Sequence, residues 1–151
     1  MTAAHQPRTT GREAGSAVVE VLLAVALLVP LVYLVAVVGR VQAGTFAAET
    51  AAREAVRAVV TAESAGQGAA RAEAAVRIAL RDQDLPEDAA SLDLECGHAV
   101  CLTPGGDVAA VVHVAVPLPL VPRTFGSRVP TVVRVDAAHV GTVDRYAAVR
   151  P

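Results

Sequence analysis

From Ala17 to Val38 the chain reads AVVEVLLAVALLVPLVYLVAVV, a run of 22 residues in which Glu20 is the only charge. A helix rising about 1.5 Å per residue needs roughly 20 apolar residues to cross a hydrocarbon core of about 30 Å. The 18 uncharged residues after Glu20 come close to that length by themselves, so the pattern predicts one membrane crossing. Pro30 lies within the run, where it removes one backbone hydrogen bond and introduces a helix kink, as membrane helices tolerate. Beyond the run, Val41, Thr45, Ala48, Ala52, Ala55, Val56 and Val59 recur at steps of three and four, which continues the helix to about Val60. Glu49 with Arg53, and Glu54 with Arg57, form charge pairs on its other side. Such an Ala-rich face either packs against neighbouring helices or covers the chain's own domain.

The period then changes. Ser64-Ala65-Gly66-Gln67-Gly68 reads as a break, and Ala69 to Arg81 as a second helix with Ala72, Ala75, Val76, Ala79 and Leu80 on one face. The acidic stretch Asp82 to Asp88 ends it as a solvated loop. From Ser91 the pattern alternates, with Leu92, Leu94 and Cys96 on one side and Asp93 and Glu95 on the other. Gly97-His98 forms a turn into Ala99–Leu102, and Thr103-Pro104-Gly105-Gly106 a second turn. Asp107 to Val116 follows as a strand, with Val108, Ala110, Val112, Val114 and Val116 sharing a face. Pro117, Pro119 and Pro122 close that strand, residues 123–130 read as a loop, and Thr131 to Val140 as the last strand. The predicted class is α+β: a long N-terminal transmembrane helix extended outside the membrane, a second short helix and a small antiparallel sheet. By residue, this divides the chain into a leader (1–15), a span (16–39), a spine extension (40–63), a second helix with its acidic loop (64–90) and a sheet region (91–151).

Composition narrows what such a molecule does. At 151 residues with part spent on the span, the exported remainder is one small domain. Only two Phe and two Tyr are present, and no Trp, so an Ala, Val and Leu core offers little shape for a planar ligand. All 13 basic residues are Arg, spread along the chain at a net charge of −2, which argues against nucleic-acid binding. GREAGS lacks the spacing and the Lys of a phosphate-binding loop, and neither a nucleophile elbow nor a carboxylate pair is found. The reading is therefore not an enzyme, with no cofactor and no small-molecule substrate.

Glu20 needs a reason, because a carboxylate in a membrane helix costs roughly 2.5–3.5 kcal/mol at the centre and somewhat less near the interface. The segment Gly15-Ser16-Ala17-Val18-Val19-Glu20 resembles the leader-and-cleavage signal of type IV prepilins: a basic leader, a Gly, the scissile bond, and a Glu at the fifth mature position. Three further stretches extend the likeness to the TadE-like family of tight-adherence minor pilins and pseudopilins. They are FAAETAAREAVRAVV, VHVAVPLPLVP and a closing Val-rich strand. Val21 departs from the aromatic that often follows the Glu in the related major pilins, which favours a minor component. The resemblance implies that a prepilin peptidase cuts between Gly15 and Ser16, and that Glu20 then neutralises the new α-amino group during assembly with other pilin-like subunits. Two other readings stay open: an uncleaved single-pass anchor carrying a binding module of the cell envelope, with Glu20 at the interface, and Sec-type cleavage after Ala43.

The short, polar, basic leader and the far-side cysteines place the N-terminus in the cytoplasm and the C-terminal region outside, although Arg8 and Arg12 before the span are matched by Arg40, Arg53 and Arg57 after it. Cys96 and Cys101 flank a predicted turn and are expected to form a local disulfide after export; a metal site with His98 is the lesser alternative, since it lacks a fourth ligand. His113 and His139 have no carboxylate or nucleophile near them in sequence and read as ordinary histidines.

Overall fold

The computed structural model describes residues 13–119 and 131–148. It contains α1 (Glu13–Val60), α2 (Ala65–Arg81), a single 3-10 turn (Glu87–Ala89), β1 (Ala90–Cys96), β2 (Asp107–Pro117) and β3 (Val132–Thr142). The fold is α+β, as the change of period predicts. The chain divides into two compact units, one ending at Ala36 and the other beginning at Val37.

The first unit, over its described residues, is helix alone. Leu22, Leu27, Leu31 and Val35 are each more than half exposed, and no side faces a protein core. A helix apolar all round has no stable place in water, since each such side chain forfeits about 1.5–3 kcal/mol by staying hydrated. The helix is long and apolar enough to cross a membrane. It continues through Pro30, whose missing N–H leaves the Ala26 carbonyl without its usual partner.

The second unit is built on the later part of α1. Ala47, Ala48, Ala51, Ala52, Ala55, Val56 and Val59 are at most 3% exposed. Compared with the predicted stripe, the buried face is turned slightly: Val41 and Thr45 are only half-buried, while Gly44 and Ala47 are inside. The reason is close approach. A Cβ on Gly44 would overlap Cγ2 of Val116, so the sheet meets the helix at a residue that apolar periodicity does not score.

The predicted break at 64–68 is a correction. The chain turns over only Thr61 to Ser64, and Gly66 and Gly68 are helical. Ser64 is extended (φ −148°, ψ 156°) and its Oγ accepts from the Gln67 N–H at 3.3 Å, while Gln67 Oε1 accepts from the Glu63 N–H at 3.1 Å. This is the reciprocal pattern of a capping box, displaced by one residue on the return bond. Gly68 is inside the helix because α1 passes against it; a Cβ there would stand 3.0 Å from the Val59 Cα. At the far end of α2 the backbone folds back, with the Leu85 N–H donating to the Leu80 carbonyl at 3.0 Å, and Leu85 is buried among exposed acids.

The sheet is antiparallel in the order β1-β2-β3. The central strand buries Val108, Ala110, Val112, Val114 and Val116, each at most 1% exposed. Toward α2 the core gathers Val76, Ala79 and Leu80 with Val112 and Val114. Toward the other end it gathers Val56, Val59 and Ala72 with Leu102, Val108 and Val143. Residues 97–102 form bends and a turn, and Leu102 is tucked fully into that second group. The 123–130 loop and Pro122 lie outside the described residues. On either side of that stretch, the Leu118 N–H donates to the Thr131 carbonyl at 2.9 Å.

Candidate functional site

Glu20 is exposed on the apolar helix and makes no hydrogen bond or ion pair among the described residues. The backbone around the Gly15–Ser16 bond is already helical, since α1 starts at Glu13. Among the described residues, the span from Ala17 to Val38 carries this one acid and no charged companion for it.

In the second unit, Cys96 and Cys101 sit at disulfide distance, with Cα atoms 5.0 Å apart. Cys96 ends β1 opposite Val108, and Cys101 immediately precedes the buried Leu102. The loop between them is also held by backbone bonds: the Gly97 N–H donates to the Asp107 carbonyl at 2.9 Å and the Thr103 N–H to the Val100 carbonyl at 3.2 Å. A second set ties this loop to the residues after β3. Gly105, at φ +77°, donates to the Val143 carbonyl at 3.0 Å, and the Val143 N–H donates to the Gly106 carbonyl at 2.9 Å. Glycine suits position 105 because an L side chain is strained at that φ. Among the described residues no group of three His, Cys, Asp or Glu side chains has the arrangement of a metal site.

The acidic stretch after α2 is organised around two arginines. Arg40 Nη1 reaches the Asp84 carbonyl at 3.4 Å, and Arg81 is hydrogen-bonded and ion-paired to Glu87. That bond, and the opposite charge behind it, hold the Glu87 carboxyl below the usual carboxylate range and raise the Arg81 guanidinium above its ordinary value.

The reading of His113 as a histidine without a carboxylate is a second correction. Its Nδ1 lies 2.6 Å from Asp136 Oδ1 and its Nε2 lies 3.4 Å from Asp93 Oδ2. The hydrogen bond with Asp136 raises the imidazole above its ordinary value; partial desolvation opposes this, and the charges of Asp136 and Asp93 reinforce it. The two acids lie 20 and 23 residues from His113, so a search of its sequence neighbourhood misses them. The available signal was strand parity, since all three residues alternate outward from the Val face of their strands. His139 is exposed on β3, on the opposite parity from Asp136.

Set beside family models, curated proteins and solved structures, the chain has no significant match to any of them.

Proposed function

We propose that this chain is a single-pass membrane subunit of the TadE-like, tight-adherence kind, a minor pilin-like component assembled through its N-terminal helix. One observation supports the reading above others: the same helix that is apolar and exposed from Ala17 to Val38 goes on to bury an alanine face, residues 47–59, in a small α+β unit. A helix serving first as a span and then as a domain's spine is what a pilin-like subunit requires. The bilayer covers the exposed apolar part, the N-terminus is cytoplasmic and the α+β unit lies outside. Glu20 supplies the one intramembrane charge. Pairing with an ammonium in low dielectric offsets part of the desolvation that each group suffers alone.

The second reading is an uncleaved anchor for an envelope binding module. It is favoured by the helical backbone across Gly15–Ser16, because a peptidase needs that bond unwound before it is cut. Intact mass of the membrane-extracted chain, with and without a co-expressed prepilin peptidase, separates the two. Loss of residues 1–15 only when the peptidase is present is the expected result, and retention of those residues in the native host overturns processing. Glu20→Ala is expected to insert normally and to be depleted from filaments; undiminished incorporation overturns the assembly role.

A further inference from the structure

The outer face of the sheet, away from the buried valines, brings charges together from all three strands. Ser91, His113 and Asp136 stand abreast in register, and Asp93 pairs one step along, opposite Val111. β1 and β3 do not touch each other in the strand order, so His113 on the central strand is the group placed between their two acids. A neutral imidazole has one N–H and donates to one carboxylate. An imidazolium has two and donates to both.

We propose that His113 is a proton-operated bridge across the sheet: as imidazolium it ties β1 through Asp93 and β3 through Asp136 to β2, and on losing its proton it gives up its side-chain tie to one edge strand, whose backbone ladder remains. The strand that loses its tie is β1. The Nδ1–Asp136 contact at 2.6 Å is the shorter and keeps the remaining proton, whereas the Nε2–Asp93 contact at 3.4 Å then sets a ring lone pair against a carboxylate. The other charged groups around the imidazole are Arg134 on β3 and Asp88 on the 3-10 turn, which line the same recess, and Glu95 further along the outer face of β1. All of these side chains are solvent-accessible, so the bridge is reached by bulk protons without opening the core.

The sign follows from the raised proton affinity in the folded state. The stabilisation is complete below the unfolded value of about 6.5 and disappears as pH rises through the higher folded value.

The test uses the full chain in detergent micelles. Histidine side-chain NMR follows the His113 titration, and amide exchange at residues 91–95 is compared with that of His113→Gln at each pH. The expected results are a midpoint above 6.5 that drops further in Asp136→Asn than in Asp93→Asn, and a β1 protection ratio, wild type to variant, that rises about two- to fivefold between pH 8.5 and pH 6. A midpoint at or below 6.5, or a pH-independent ratio, overturns the bridge. If His113→Gln does not fold, Asp93→Asn serves as the reference: it is expected to keep a raised midpoint through Asp136 while losing the pH dependence of β1 protection. Persistence of that dependence in Asp93→Asn overturns the proposal equally.

Discussion

Gly68 of α2 lies against Val59 of α1 so closely that a Cβ at position 68 would stand 3.0 Å from the Val59 Cα and 3.2 Å from the Ala62 Cβ. Two residues away, Gly66 faces open space. Backbone cannot yield as a side-chain tip can, so Gly68→Ala is expected to destabilise the second unit despite alanine's better helix propensity. Gly68→Val should cost more, about 1–3 kcal/mol. Gly66→Ala gains the propensity without the overlap and is expected to stabilise by about 0.5 kcal/mol. Denaturant unfolding of the full chain in micelles checks the order Gly66→Ala, wild type, Gly68→Ala, Gly68→Val.

The approach of the sheet to α1 gives a paired test. Gly44→Ala places a methyl into Val116 Cγ2 and should cost about 1–3 kcal/mol. Val116→Ala removes fully buried methyls and should also destabilise. Because the first penalty is relieved by the second change, the double variant is expected to lose less than the sum of the two. Additive losses in the unfolding free energies would show that the two residues do not compete for space.

The loop after β1 rests on a covalent tie and a buried leucine. Replacing both Cys96 and Cys101 by Ala should lower stability by about 2 kcal/mol, the scale for so short a closed loop. Leu102→Ala leaves a cavity beside Val108 and Val143 and should lower it by about 2–5 kcal/mol. Unfolding midpoints with and without reductant check the first: wild type should respond to reductant and the double variant should not.

Glu87 and His113 predict pH effects of opposite sign. The Glu87 carboxyl is held down by Arg81, so its contribution is present above the unfolded value of about 4.5 and is lost as pH falls through the lower folded value. His113 contributes at mildly acidic pH and ceases to as pH rises. Arg81→Gln is expected to return the Glu87 titration, followed by carboxyl NMR, to the ordinary range while leaving the His113 midpoint in place.

Local periodicity carries most of the architecture. The apolar run, the helical steps to Val60 and the alternation through Asp107 to Val116 each declare an element and its inward face, because side-chain direction repeats every 3.6 residues in a helix and every 2 in a strand. What periodicity leaves undecided is distance. Apolar scoring passes over Gly44 and Gly68, since a glycine's value at a close crossing depends on the backbone or side chain that arrives there. Ser64 and Gln67 did carry a start signal for α2, and the flanking glycines masked it as a break.

The sequence by itself determined a chain with one apolar helix of membrane-spanning length, a lone acid in it, and an α+β remainder with valines inward and acids outward. Tertiary structure alone decided that Gly68 meets Val59 and that Asp93 and Asp136 close on His113. The physical reason is register. Alternation assigns a residue to a face of its strand, but only the pairing of one strand with the next determines which residue on that face becomes its neighbour.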